Sequence, residues 1–207
     1  MVKELIKKGA EAELTIQTTD SDTVVSKKRV AKKYRNPILD LKIRTKRTRS
    51  EAKIIKEAAK VVNVPKIIGV DEEKSEILME QITGKQLKEV IERNPELCVE
   101  AGALIRKIHD LGIIHGDLTT SNILFADASL YKERIKQKGK LFFIDFGLGY
   151  FSKKVEDRAT DLVVFKKTFN ATHSGIKKGW KKVLEGYKPE KELCDRMKEI
   201  EKRARYH

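Results

Sequence analysis

Residues 114–124 read IHGDLTTSNIL, and residues 142–148 read FFIDFGL. In the first stretch an acid, three hydroxyls and an amide stand together between isoleucines and leucines. In the second a lone acid follows an apolar run. A carboxylate carried into apolar surroundings has to be paired or hold a cation, because burying it alone is prohibitively costly. Asp117 and Asn122 stand five residues apart in a loop predicted between a helix and a strand, and Asp145 follows the apolar strand KLFFI. Two acids and an amide at the ends of short strands are hard oxygen ligands. They suit Mg²⁺, which takes few protein oxygens and completes its shell with water and phosphate.

The elements around these stretches follow from periodicity. Residues 2–30 alternate loosely and break at KKGAE and TDSD, which predicts short antiparallel strands near 2–8, 11–18 and 23–30. Pro37 opens a helical stretch running to about Asn63. Two more strands are expected at 66–71 and 76–82. After Thr83-Gly84 the character changes. Leu97, Ala101, Leu104, Ile105, Ile108 and Leu111 recur at helical spacing, the mark of one buried face. Helices of the same kind follow around Leu162, Val163 and Phe169, then Ile176, Trp180, Val183 and Tyr187, then Leu193, Met197, Ile200 and Ala204, with short strands at 122–126 and 140–145. The expected fold class is therefore α+β: a small antiparallel sheet with one long helix over 1–83, and a mainly helical part over 84–207.

The chain has 207 residues with 40% hydrophobic content, enough for a substantial core. Cys98 and Cys194 show no metal spacing and read as small buried hydrophobes in a reducing compartment. The beginning MVKELIKKGAEAEL carries no signal-peptide pattern, and no run nears the roughly 18 apolar residues of a membrane span. A cytoplasmic protein without membrane contact is expected. The net charge is +14, and the excess concentrates between Lys27 and Arg49, where eleven basic residues face a single acid, Asp40. Such a field draws phosphates or an acidic partner.

HGDLTTSN at 115–122 is similar to the kinase catalytic-loop pattern H-R-D-L-x-x-x-N, and DFG at 145–147 to the kinase metal-binding triplet. A kinase also needs a strand lysine on the phosphates and a helix glutamate to hold it. TVVSKKRV supplies Lys27 at the end of an apolar strand. Glu51 shares a helix face with Ile55, Ala58 and Val62, so it points inward, unlike Glu57. Lys28 competes with Lys27 but lies on the opposite strand face. The stretches GAEAEL, KYRNPILDLKIRTKRTRSEA, HGDLTTSN, DFGL and EDRATDLVVF together resemble the small atypical kinase of the KEOPS complex, the PRPK family, in its archaeal form.

That resemblance implies a two-lobed protein-kinase-like fold with a reduced helical lobe, using ATP and Mg²⁺. It implies that Asp117 orients or deprotonates the attacking hydroxyl or water. Asn122 and Asp145 would hold Mg²⁺, and Lys27 with Glu51 would fix the nucleotide. Glu80 and Ile82 would offer backbone to adenine from the strand LMEQI. Gly9 would lie in the phosphate-covering turn or serve as an ordinary hairpin glycine. His115 is read as structural, Thr119, Thr120 and Ser121 as satisfying loop backbone, and Asp161 as a helix N-terminal acid that in the family braces the catalytic loop. The implied activity is ATP hydrolysis in support of threonylcarbamoyl modification of tRNA adenosine, with serine/threonine autophosphorylation as a lesser activity. The implied partners are a threonylcarbamoyl-transferase subunit on the helical lobe, a small KEOPS subunit on the strand lobe, and tRNA at the basic stretch and the tail EKRARYH.

The sequence departs from ordinary kinases. It has no G-x-G-x-x-G and no A-P-E, Gly116 stands in place of the loop arginine, and Thr119 stands where a lysine is usual. Only 15 residues separate Asp145 from Asp161, too few for a large activation segment or a standard peptide groove. Residues 127–139 lengthen the gap between Asn122 and Asp145 and read as a basic surface helix. Three alternatives stay open. An aminoglycoside-type phosphotransferase shares HGDL but needs a substrate lobe for which the chain looks too short. RIO-type kinases share HGDL with a different metal motif. A non-enzymatic scaffold would have little need of the five residues Lys27, Glu51, Asp117, Asn122 and Asp145.

Overall fold

The computed structural model describes residues 2–9, 11–18 and 23–204. The chain divides into two units: residues up to Glu57 together with Pro65–Ile82, and Ala58–Val64 together with the residues from Thr83 onward.

The first unit is a five-stranded antiparallel sheet in the order β1-β2-β3-β5-β4, from β1 (Val2–Lys8), β2 (Ala12–Thr18), β3 (Thr23–Arg29), β4 (Ile67–Asp71) and β5 (Glu76–Glu80). The predicted turn at 19–22 lies outside the described residues. Helix α1 (Pro37–Ala58) starts where Asn36 Oδ1 accepts the N–H groups of Ile38 and Leu39 at 3.0 and 3.3 Å. Pro37 fits that first turn because its missing N–H would have no helical acceptor. Ala52, Ile77 and Met79 form the core, with Val25 and Ile67 against them. The helix ends at Ala58, earlier than the expected Asn63. The Val61 N–H tightens onto the Ala58 carbonyl at 3.0 Å in an i→i−3 bond, and the Asn63 carbonyl is drawn off to the Phe143 N–H at 2.9 Å.

The second unit holds β6 (Gly84–Gln86), α2 (Leu87–Val90), α3 (Leu97–Asp110), β7 (Ile113–Ile114), β8 (Ile123–Ala126), α4 (Lys132–Lys138), β9 (Leu141–Phe143), β10 (Tyr150–Phe151), α5 (Val155–Thr172), α6 (Gly179–Tyr187) and α7 (Lys191–Arg203). α3 and α6 cross closely because each offers a glycine. A Cβ on Gly102 would strike the Val183 carbonyl, and one on Gly186 the Val99 carbonyl. Cys98 is buried in α3, and burial pushes its thiol up to about 11. No described helix is long and apolar enough to cross a membrane.

The stretch at 127–139 does contain a charged helix, α4, and it grips the chain just after α1. Arg134 donates to the Val64 carbonyl at 2.5 Å and lies 4.7 Å over the Phe142 ring. Lys138 donates to the Ala59 carbonyl, and the Asn63 amide reaches the Gly139 carbonyl at 2.8 Å.

Two small ladders frame the loop of interest. β6, β8 and β9 form one antiparallel sheet, with Ile123 opposite Phe143, and β10 pairs with β7, with Tyr150 opposite Ile114. β7 therefore delivers the chain into 115–122, β8 carries it away, and β9 ends beside that exit. The short elements β6, α2, β7 and β10 have too few residues to show a period, and they were not expected.

Candidate functional site

The flanks of 114–124 are buried as expected: Ile113, Ile114, Leu118 and Ile123 are all 0–1% exposed. The acids are not. Asp117 and Asp145 are exposed and Asn122 is half-buried. This corrects the expectation that carboxylates here are carried inside. The apolar residues anchor the loop, and the polar groups leave it on the open side.

Asp117 and Asn122 are in direct contact. The Asn122 Nδ2 donates to the Asp117 carbonyl at 2.8 Å and to its Oδ2 at 2.9 Å. With both donor positions of the amide turned toward Asp117, the amide oxygen Oδ1 faces away as an acceptor. The Ile144 N–H donates to the Asn122 carbonyl at 3.0 Å, which extends the β8–β9 ladder and sets Asp145 one residue further on. Asp145 has a φ of +61°, a left-handed backbone that aspartate tolerates better than most residues. Its Oδ1 accepts the Gly147 N–H at 3.4 Å.

One amide oxygen and one carboxylate at neighbouring strand ends are hard oxygen donors, of the kind Mg²⁺ takes. Among the described residues no group of three or more His, Cys, Asp or Glu side chains could hold a metal by itself.

Asp161 is the buried carboxylate of this region, 3% exposed. It lies in the second turn of α5, which begins at Val155. The expected helix-terminal role falls instead to Glu156 and Asp157. Asp161 accepts the N–H groups of His115 at 2.9 Å and Gly116 at 3.0 Å, so it pins the entry to the loop. His109 lies between it and Tyr187, with Nε2 3.1 Å from Asp161 Oδ2 and Nδ1 2.9 Å from Tyr187 Oη. Burial pushes the Asp161 carboxyl up, but the His109 hydrogen bond and the His115 backbone N–H, with the polar field of the two histidines, outweigh it. The carboxyl is held below its ordinary 3.8. A folded value below the unfolded one stabilises fully above the unfolded value, and the gain is lost as pH falls through the folded value. Asp161→Asn is therefore expected to be less stable than the parent near neutral pH, with the gap closing below about pH 3.8. Denaturant titrations across that range measure it.

His115 is structural, as expected. It is 1% exposed, tilts against Phe146 at 4.6 Å, and its Nε2 meets the Ile144 carbonyl at 3.1 Å. A carbonyl only accepts, so Nε2 carries the proton, and burial pushes the imidazole toward its neutral form. Gly116 has a φ of +80°, and a Cβ there would collide with the Leu148 carbonyl. The residue that replaces the usual arginine is thus set by backbone. Thr120 departs from its expected role: its hydroxyl meets the His173 side chain at 2.9 Å rather than serving loop backbone.

In the first unit Lys27 and Glu51 meet. The Lys27 Nζ donates to Glu51 Oε1 at 2.5 Å, and Glu51 is 1% exposed. Lys28 faces outward. Arg29, two residues along the same strand face, donates to Glu51 Oε2 at 2.7 Å and is 4% exposed. It went unrecognised, although the two-residue strand period places it beside Lys27. Removing the anion from a buried cluster of cations costs about 3–5 kcal/mol. Glu51→Gln should lower stability by about that much in a denaturant melt.

The Gly9 N–H donates to the Ala12 carbonyl at 3.0 Å, closing the β1–β2 turn, and a Cβ there would crowd the same carbonyl. The Glu80 N–H is taken by the Lys66 carbonyl at 2.9 Å, so an adenine contact at Glu80 must use its own carbonyl. Ile82 follows β5 and is half-buried.

Part of the basic stretch is neutralised within the chain. Besides Lys27 and Arg29, Arg44 pairs with Asp40 at 2.7 Å, Arg47 with Glu11 at 2.5 Å and Arg49 with Glu72 at 2.5 Å. Near the tail, Arg203 pairs with Glu156 at 3.2 Å, and 205–207 lie outside the described residues.

A model of the lipopolysaccharide kinase (Kdo/WaaP) family matches residues 6–187. The KEOPS complex subunit Bud32 of Pyrococcus abyssi is 38% identical, with the match covering 98% of this chain and 96% of the relative. The chain belongs to the Bud32 family, within the kinase group that the Kdo/WaaP model covers. Other relatives of this Bud32-family chain are longer. The probable bifunctional tRNA threonylcarbamoyladenosine biosynthesis proteins of Methanobrevibacter smithii and Methanocaldococcus jannaschii are 42% and 40% identical, and the chain spans 36% and 37% of their lengths. Among solved structures, the Rio2 kinase–ADP/Mg²⁺–phosphoaspartate complex from Chaetomium thermophilum superposes with a TM-score of 0.65 at 16% identity, covering 97% of this chain and 70% of that one. WaaP in complex with acyl carrier protein gives 0.62 at 12% identity, covering 97% and 88%. These two establish the kinase-like fold of the Bud32-family chain.

Proposed function

We propose that this chain is an ATP-using subunit of a KEOPS-type assembly that supports threonylcarbamoyl modification of adenosine in tRNA. The observation that carries the reading is the end-to-end match to a Bud32 subunit. The residues present suit the chemistry. Lys27, held by Glu51, neutralises phosphate charge, and Glu80 and Ile82 offer backbone to adenine. Gly9 shapes the turn between β1 and β2 that covers the phosphates. Asn122 and Asp145 hold Mg²⁺, which when bound offsets charge on the phosphate oxygens. Asp117 orients or deprotonates the attacking hydroxyl or water, at a place fixed by its bond with Asn122. ATP hydrolysis is the main reaction and serine/threonine autophosphorylation a lesser one. The threonylcarbamoyl-transferase subunit takes the helical lobe and a small subunit the strand lobe, in the cytoplasm. tRNA meets those lysines of the basic surface that lie outside the ion pairs.

The test is nucleotide turnover by the purified chain, alone and with the transferase subunit and tRNA. Stimulation by both together supports the reading. Turnover raised instead by an amino-sugar points to a small-molecule phosphotransferase. Failure to bind Mg·ATP under every condition points to a scaffold. RNA affinity should fall by about 0.7–0.9 log units per log unit of salt for each phosphate neutralised.

A further inference from the structure

Thr120 lies between Asp117 and Asn122, and it is only 4% exposed. Its Oγ1 is 2.9 Å from Nε2 of His173, the C-cap residue of α5, itself 3% exposed. The His173 ring tilts against Phe169 at 5.1 Å, and its Nδ1 is 3.9 Å from Oε1 of Glu92, which is exposed. The Thr120 carbonyl is also held, by the Lys88 N–H of α2 at 3.2 Å. The loop is therefore fixed at two places. Asp161 holds its entry through His115 and Gly116, and His173 with α2 holds it between the two polar residues that matter.

We propose that His173 is a positioning residue for the loop 115–122: its bond to Thr120 holds the conformation in which Asp117 and Asn122 are aimed together. This deepens the ATP-using function proposed above and rests on it. A buried hydroxyl and a buried imidazole each need a partner, and here each supplies the other's. Any shift of the loop that moved Thr120 off His173 would strand both groups away from water. That couples a bond inside the helical unit to the placement of Asp117 three residues before it and Asn122 two after it. Among the described residues Asp117 and Asn122 anchor their side chains to each other, so backbone placement decides their aim. Small errors in such placement cost rate steeply.

The test compares Thr120→Val, which keeps the volume and loses the hydroxyl, with Thr120→Ser and His173→Phe, and with the Thr120→Val/His173→Phe double variant. Thr120→Val and His173→Phe should each lower kcat for ATP turnover by about tenfold while KM for ATP stays within about twofold. The double variant should be no slower than either single one, because both remove one bond. Thr120→Ser should restore most of the rate. Amide hydrogen exchange at the Asn122 N–H, which donates to the Thr119 carbonyl at 3.1 Å, should quicken in Thr120→Val. That readout needs no catalysis. If the parent turns over no ATP, the proposed function fails while exchange still decides whether the bond holds the loop. Thr120→Val with parental kcat and parental exchange would overturn the proposal, and so would single-variant losses that add in the double variant.

Discussion

Asp145→Ala is expected to remove ATP turnover almost completely, by about a thousandfold or more, since a bound metal supplies several kcal/mol of charge stabilisation and each 1.36 kcal/mol is tenfold. Alanine carries a second cost at this position. The backbone has a φ of +61°, which a β-carbon without a polar group tolerates poorly, so part of any loss could come from folding. Asp145→Asn separates the two. Asparagine accepts the left-handed backbone, keeps an oxygen for the Gly147 N–H and removes only the charge. Asp145→Asn should melt within a few degrees of the parent and still lose most of the turnover. A Mg²⁺ titration should show it needing far more metal. Turnover by Asp145→Asn at the parental rate and metal dependence would rule out the assignment of Asp145 to the metal.

Asp117→Asn is expected to slow turnover by about 10²–10⁴, the usual contribution of a positioned general base. The Asp117 Oδ2 accepts the Asn122 Nδ2 at 2.9 Å, so beside the proposed base role Asp117 has a separable one as acceptor for Asn122. Asn at 117 still offers a carbonyl oxygen to Asn122 and keeps that amide turned, but it cannot take a proton. Ala at 117 loses both. Asp117→Asn should thus lower kcat with little change in the Mg²⁺ requirement, whereas Asp117→Ala should lower kcat and also weaken metal binding through Asn122. Equal metal dependence in the two variants would show that Asn122 is held well enough by its backbone bonds alone.

Much of the fold was readable before any coordinates. Glu51 illustrates why. A glutamate at helical spacing with Ile55 and Ala58 has to face inward, and an inward carboxylate needs a cation from a neighbouring strand. Strand alternation puts Lys27 and Lys28 on opposite faces, so only one of them can reach it. The structure has Lys27 on Glu51 at 2.5 Å. The same alternation places Arg29 on that face as well. The HGDLTTSN and DFG stretches stand out because their residue types sit at the fixed offsets of the kinase motifs they resemble. The error was in the burial of their acids. Periodicity reports the side chains that pack, and it does not say that polar neighbours in the same loop follow them inside.

His109, Asp161, Tyr187 and the Thr120–His173 bond belong to another class. Each joins residues about 50 or more positions apart, and each depends on how α3, α5 and α6 pack around the loop. No local period encodes such a pairing, because a buried histidine in a helix looks the same whether it meets a carboxylate, a hydroxyl or nothing. The basic stretch gives a similar lesson. Eleven positive charges against one acid describe the segment, but Glu11, Glu51 and Glu72 come from elsewhere in the chain to answer it. The amino-acid order by itself determined the types of the longer elements, the inward face of Glu51 and the placing of Asp117, Asn122 and Asp145 beside short strands, since these rest on short-range periods and offsets, and the kinase resemblance added Lys27 as the partner of Glu51. Only the tertiary structure decided which carboxylate is buried, which charges are neutralised and what holds the loop, because those are set by side chains that meet through packing across long sequence distances.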